Sequence, residues 1–74
     1  MRLGRAYKMG ASAAGHKARA LALFDAGDHT GATKEEIAFI NCIEDIPSRL
    51  RQKIMPFVDA CIEARLAVIR GHGN

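Results

Sequence analysis

Five side chains in this sequence are of the types that bind metal ions. They are two cysteines and three histidines: Cys42, Cys61, His16, His29 and His72. No two of them lie three or four residues apart, which is the spacing that places two ligands on one face of a helix. Neither an HExxH pattern nor a Cys2His2 pattern is present. The sequence therefore predicts no native metal and no cofactor.

Nucleophilic catalysis requires a serine or cysteine beside a histidine that an acid orients. Neither Ser12, Ser48 nor a cysteine has both partners as neighbours along the chain. The phosphate-binding patterns GxxxxGK[ST] and GxGxxG are absent, and the GASAAG segment follows no strand signal, so we interpret it as the start of a helix. A helical chain of this size also offers little concave volume for a substrate. We therefore expect a protein that is not an enzyme.

The basic N-terminus and the two cysteines indicate in which cellular compartment the protein is expected. Cys42 and Cys61 sit inside apolar periodic segments without a CxxC pair, which is typical of buried free thiols. The N-terminal segment is basic, but His16, Lys17 and Arg19 interrupt the apolar run that a secretory signal requires. No apolar run reaches the roughly 18 residues of a membrane span. These features predict a cytoplasmic protein without a membrane partner.

Charge alternates in blocks along the chain. Residues 1–24 carry five cations and no acid, residues 25–46 carry six acids and one lysine, and residues 47–74 carry five cations and two acids. A dedicated nucleic-acid binder usually shows one continuous basic field. The alternation instead favours a basic surface that binds a protein partner. An acidic protein would suit such a surface. We predict that this surface is formed by Arg2, Arg5, Lys8, Arg19, Arg49, Arg51 and Lys53.

The elements that must position these residues are predicted to be helices. Apolar residues make up 49% of the chain, yet only four residues are aromatic, and alanine and isoleucine dominate. This composition favours helix-on-helix packing over strands. The first helix is predicted at 11–26, because Gly4 and Gly10 each weaken an earlier start by about 1 kcal/mol. Residues 1–10 are then a flexible basic arm, 11–70 one helical domain, and 71–74 a tail.

Two helix boundaries are predicted in the middle of the chain. Gly27 is placed to end the first helix in the left-handed conformation. After a linker at 26–33, the TKEE segment matches a capping box in which Thr33 and Glu36 open a second helix at 34–45. Its buried side is predicted to consist of Ile37, Ile40, Ile43 and Ile46.

A long third helix is predicted at 47–70. Pro47 breaks the chain after the second helix, Asp45 is positioned to cap the third, and Gly71 ends it. Pro56 should bend this helix one turn earlier, near Lys53. The predicted fold is therefore all-α: a small three-helix bundle or helical hairpin with a proline-kinked C-terminal helix.

The third helix carries two adjacent apolar stripes at helical spacing. The first stripe is Leu50, Ile54, Phe57, Cys61, Ala64 and Val68, and the second stripe is Met55, Val58, Ile62, Leu66 and Ile69. A helix on the outside of a small monomer needs only one such stripe. We therefore expect the first to pack on the other helices and the second to form a dimer or packing interface that completes the fold.

These observations favour a non-enzymatic helical interaction protein that regulates or inhibits a partner protein. In size and layout the chain resembles the small regulators and inhibitors encoded by bacteriophages and other mobile elements, although no motif carries that resemblance. One alternative is a helix-turn-helix-like DNA-binding regulator, because KARALALFDAG resembles the first helix of such domains and the 49–53 cluster would enter a groove. A weaker alternative is a subunit of a larger assembly.

Overall fold

The computed structural model describes residues 1–71, and these form three helices. Helix α1 spans Leu3–Asp25, α2 spans His29–Glu44 and α3 spans Ser48–Ile69. Strands are absent from the described residues. The prediction of an all-α fold with three helices is confirmed. Within the same range, no helix combines the length and the apolar character that crossing a bilayer requires.

Helix α1 begins at Leu3, eight residues earlier than the sequence indicated. Tertiary contacts explain the early start. Ala6 is fully buried, and the ring of Tyr7 meets the ring of Phe57 edge-on at a centroid distance of 5.1 Å. These contacts with the rest of the chain offset the low helix propensity of the glycines, as packing commonly does.

The connection between α1 and α2 occupies only residues 26–28. Gly27 has φ +85°, its amide donates to the Phe24 carbonyl, and the next amide, Asp28, donates to the Leu23 carbonyl. This pattern is a Schellman motif, so the predicted role of Gly27 is confirmed.

The predicted start of α2 at Thr33 is wrong. The Asp28 carboxylate accepts a hydrogen bond of 2.9 Å from the Gly31 amide and thereby caps α2 one turn earlier. Any side chain at Gly31 would collide with that carboxylate. Thr33 lies inside the helix, where its hydroxyl donates to the His29 carbonyl.

The break between α2 and α3 falls at Asp45–Pro47, as predicted, but its chemistry differs. Asp45 closes α2 and does not cap α3, which begins without a side-chain cap. The Ile46 side chain is fully buried, and the Arg51 guanidinium donates two hydrogen bonds, of 3.0 and 3.3 Å, to the Ile46 carbonyl. One buried side chain and one cation therefore hold this turn.

Helix α3 continues through Pro56 as one element. Proline has no amide hydrogen, so the Gln52 carbonyl one turn earlier loses its helical donor. Both residues are exposed, which leaves that carbonyl open to water. The bend predicted near Pro56 stays a prediction. Gly71, with φ +74°, follows the end of the helix as expected.

The three helices form an open arrangement around α1. Helix α1 packs against both α2 and α3, whereas α2 and α3 hardly touch each other. The radius of gyration is 12.6 Å, and the molecule measures 36 × 29 × 14 Å. A compact domain of this length would have a radius of gyration of about 11 Å. The chain therefore leaves more of its surface uncovered than a closed bundle would.

The core of this arrangement is small. Among the described residues, the only large side chains with full burial are Ile46, Ile54 and Val58. The other buried apolar residues are alanines: Ala6, Ala13, Ala14, Ala18, Ala20 and Ala32. So many short side chains allow close approach of the helices but remove little apolar area from water, and burial stabilises a fold roughly in proportion to that area.

Helix α2 turns a different side toward α1 than its isoleucines suggested. Ile37 and Ile40 are 53% and 44% exposed, so their predicted burial is wrong, whereas Ile46 is buried and Ile43 packs against the core. Phe39 replaces them against α1 and lies under the Lys17 ammonium, 5.2 Å from the ring centroid. The physical reason is that the stripe formed by Ala32, Phe39 and Ile43 packs toward the rest of the chain, which turns Ile37 and Ile40 to the outside.

Candidate protein-binding groove

An open groove runs between the C-terminal halves of α1 and α3. Its volume is about 550 Å³. Helix α1 contributes Gly15, Ala18 and Arg19, and α3 contributes Cys61, Ala64, Arg65, Val68 and Ile69. We call this feature the α1–α3 groove. Its lining contains no acidic residue.

The α1–α3 groove exists because α1 presents almost no side chains there. Gly15 and Ala18 are buried and form its floor. On the α3 side, Ala64 is also short, whereas Val68 is 73% exposed and Ile69 is 48% exposed. A shallow floor beside two large exposed apolar side chains is a surface that can bury apolar area against another molecule.

Two guanidinium groups converge over the floor of the groove. A methyl group at Gly15 would lie 3.5 Å from Arg19 Nη1 and 3.6 Å from Arg65 Nη1. Because both nitrogens would touch the same methyl group, the two Nη1 atoms lie at most about 7 Å apart. Arg65 forms no ion pair with any residue in the described range. The result is a local positive charge at one end of an apolar groove.

The position of Arg19 is set by a cluster between α1 and α2. Glu35 accepts a hydrogen bond of 2.7 Å from His16 Nδ1 and another of 2.7 Å from Arg19 Nε. These bonds, that from His16 foremost, hold the pKa of the Glu35 carboxyl below its ordinary value. Because Nδ1 directs its hydrogen at Glu35, it cannot also accept from Arg19 Nη2, which lies 3.1 Å away.

Two further ion pairs fix the helices that border the groove. Lys17 donates to both carboxylate oxygens of Glu36, at 2.7 and 2.9 Å, which holds α2 against α1. Arg70 donates to Asp25 at 2.7 Å and ties the C-terminal ends of α3 and α1 together.

The seven cations predicted to bind a partner differ in their exposure and in their hydrogen bonds. Arg2, Arg5 and Lys8 are exposed around the first turns of α1, where they line a shallow depression. Arg19 is committed in part to Glu35, and Arg51 to the Ile46 carbonyl. Arg49 and Lys53 are exposed one turn apart, and helical geometry directs Arg51 to the opposite side of α3. The 49–53 cluster is thus divided.

Helix α3 places the seam between its two stripes, not one whole stripe, against α1. Ile54 from the first stripe and Val58 from the second are both fully buried. Met55 and Ile62 of the second stripe pack against that core, Leu66 is half-buried, and Ile69 is exposed. Val58 therefore faces its own chain, and the open part of each stripe lies toward the C-terminus.

The candidate metal ligands are dispersed. Across residues 1–71, no three His, Cys, Asp or Glu side chains come together in a way that could hold a metal ion. Cys42 and Cys61 are free, half-buried and on different helices. His72 lies outside the described residues.

Three parts of the groove were not predicted from the sequence: Gly15, Ala18 and Arg65. The first stripe signalled the α3 wall, since Cys61, Ala64 and Val68 belong to it. The small residues of α1 pointed only to close packing, and Arg65 stood apart from the two basic clusters.

Comparison of the chain with protein-family models, curated protein sequences and solved structures finds no match.

Proposed function

We propose that this chain is a non-enzymatic helical interaction protein that regulates or inhibits a partner protein by binding it in the cytoplasm. The observation that carries the proposal is the α1–α3 groove. It combines an apolar floor, two exposed aliphatic side chains and a local positive charge on an otherwise open fold. Such features are typical of surfaces that are covered by another protein.

The small core supports the same proposal. Three fully buried large side chains among residues 1–71 are few for a domain of this size. A core of this size rarely contributes more than about 3–5 kcal/mol, and small domains commonly gain the remainder from a partner chain. We propose that dimerisation through the part of the second stripe outside the groove, centred on Leu66, also contributes to the fold.

DNA binding, the alternative, is less well supported. A protein that follows a duplex neutralises several phosphates with cations that share one surface. Here Arg19 and Arg51 make hydrogen bonds within the chain, and the exposed Arg49 and Lys53 lie on a side of α3 that is turned away from α1. The lining of the α1–α3 groove is also mostly apolar, which phosphate binding does not require.

The test is affinity capture from lysate of the native host with and without nuclease, followed by reconstitution with the purified partner. We expect a protein that is retained after nuclease treatment and that binds the purified chain directly. Val68→Asp should weaken that complex, because it places a charge in the groove wall. Asp59→Ala, on the far side of α3, is the matched control and should bind normally.

A nucleic-acid outcome would overturn the proposal. It would appear as capture that disappears with nuclease, together with tight binding of duplex DNA at physiological salt. In that case the double variant Arg49→Ser with Lys53→Ser should abolish DNA binding. Arg51 is left unchanged in this variant, because its replacement would also disturb the turn at Ile46.

A further inference from the structure

We propose that the α1–α3 groove binds an amphipathic helix of the partner protein, and that this helix presents a carboxylate to Arg19 and Arg65. This inference rests on the proposed function and specifies the chemistry of the partner. Two properties of the groove support it: the dimensions of its floor and walls, and the sign and position of its charge.

The dimensions fit a short length of helix. From Cys61 to Ile69, α3 advances about 12 Å at roughly 1.5 Å per residue, a little over two turns. A helix laid along this length would place apolar anchors at i, i+3 or i+4, and i+7, the usual pattern of helix-in-groove recognition. The small floor residues Gly15 and Ala18 allow such a helix to approach α1 closely, while Val68 and Ile69 cover its apolar side.

The charge specifies an acidic partner. The Nη1 atoms of Arg19 and Arg65 both lie beside Gly15. Glu35 accepts a hydrogen bond from Arg19 Nε and so offsets the charge of Arg19, but it does not offset that of Arg65. Among residues 1–71, no acid lines the groove to offset Arg65. A carboxylate between two guanidiniums would accept charge-assisted hydrogen bonds from both and would relieve their mutual repulsion. A partner helix with a lysine in that place would instead add a third cation.

The same charge disfavours a second copy of this chain in the groove. A two-fold contact presents the same patch from both copies. If it were centred on the groove, it would bring two Arg19–Arg65 pairs into one interface whose lining contains no acid. Like charges placed together across an interface weaken association. The occupant that the groove fits is therefore a different, acidic helix.

The experiment uses the full chain and two fluorescent helical peptides of about 15 residues, long enough to form a marginal helix in water. Both carry the same leucines at helical spacing. One carries glutamates at its polar positions and the other carries lysines. We expect fluorescence anisotropy to show that the glutamate peptide binds at least about tenfold more tightly, a difference of 1.4 kcal/mol in binding free energy.

Two pairs of variants locate the binding site. Arg65→Gln should weaken binding of the glutamate peptide about five- to tenfold, whereas Lys34→Gln, at an exposed cation of α2 outside the groove, should leave it unchanged. Ala64→Trp should fill the groove and block binding. Ala60→Trp, an equally exposed alanine one turn earlier and outside the groove, should not. Circular dichroism checks that each variant retains its helix content.

Three results would overturn the inference: no binding of the glutamate peptide, equal binding of both peptides, or equal loss with Arg65→Gln and Lys34→Gln. The inference would also be overturned if light scattering gave twice the chain mass for the wild type and the monomer mass for Ala64→Trp. The occupant of the groove would then be a second copy of this chain. Failure here is distinct from failure of the proposed function. A native protein partner could still be captured, and depend on Val68, without any preference for acidic helices.

Discussion

Val58 of α3 rests directly on the backbone of Gly10 of α1. A methyl group at Gly10 would lie 2.8 Å from Val58 Cγ2 and 3.0 Å from Ile54 Cδ1. Both of these side chains are fully buried, and they form most of what α3 contributes to the core. The absence of a side chain at Gly10 therefore sets how closely α3 approaches α1.

We predict that Gly10→Ala fails to stabilise the protein despite the better helix propensity of alanine. The propensity gain is about 1 kcal/mol, whereas forcing an extra carbon into a packed contact typically costs about 1–3 kcal/mol. Gly4→Ala is the matched control, because no atom outside its own helix lies within 4 Å of the added methyl group. It should raise the free energy of unfolding by up to about 1 kcal/mol. Urea denaturation measures both changes, and equal stabilisation by the two would contradict the prediction.

The sequence predicted several features that local chemistry decides, although the capping box at Thr33–Glu36 and the Asp45 cap were wrong. Gly27 and Gly71 adopt left-handed backbone conformations, and the break at Pro47 falls where an absent amide hydrogen requires it. These positions depend on only a few neighbouring residues. Three helices in their correct order follow from them.

Features that depend on contacts between helices were predicted less well. Gly10 indicated a weak helix, yet it is the position at which α3 packs. Ile37 and Ile40 shared a helical stripe with buried Ile46, but the face of α2 that packs is the one carrying Ala32 and Phe39, which leaves the two isoleucines exposed. Sequence spacing shows which residues share a face, and it does not show which face meets a neighbour.

The groove illustrates the same limit. Its α3 wall coincides with the open end of the first stripe, which the sequence made visible. Its charge depends on Arg19 and Arg65, which are far apart in sequence and meet over Gly15 only because α1 and α3 lie side by side. Neither residue type nor spacing indicates that meeting.

We predict that Arg51 stabilises the turn between α2 and α3. Arg51→Met retains much of the aliphatic stem but removes both donors to the Ile46 carbonyl, which is partly buried. Loss of a hydrogen bond from a charged donor to such a group should cost about 1–2 kcal/mol. Arg49→Met, on an exposed side chain, should change stability by less than about 0.5 kcal/mol. Urea denaturation of the two variants measures this difference. Equal midpoints would show that the hydrogen bonds from Arg51 to the Ile46 carbonyl contribute nothing to stability.

We predict that Glu35 makes the fold sensitive to acid. Since the fold lowers the pKa of Glu35, its ion cluster stabilises the folded state fully above the ordinary value of 4.5, and the contribution is lost as the pH falls through the lowered pKa. Glu35→Gln should therefore melt at a lower temperature than the wild type at pH 7, and the difference should shrink as the pH is lowered below 4.5. Glu63→Gln is the control, because Glu63 is exposed and has no ion pair with any described residue. A difference between Glu35→Gln and the wild type that does not change with pH would count against this role.

We predict that the second stripe, and not the α1–α3 groove, mediates dimerisation. Leu66 and Val68 are two residues apart on α3, so helical geometry directs them to opposite sides of the Ile54–Val58 seam. Leu66→Asp would bury an unpaired charge in a dimer formed through the second stripe, which is costly enough to dissociate it. Val68→Asp would place the same charge in the groove and leave such a dimer intact. Light scattering at low micromolar concentration should therefore give twice the chain mass for the wild type and for Val68→Asp, and the monomer mass for Leu66→Asp. A dimer that Val68→Asp disrupts and Leu66→Asp does not would assign the interface to the groove, and a monomeric wild type would remove dimerisation from the proposed function.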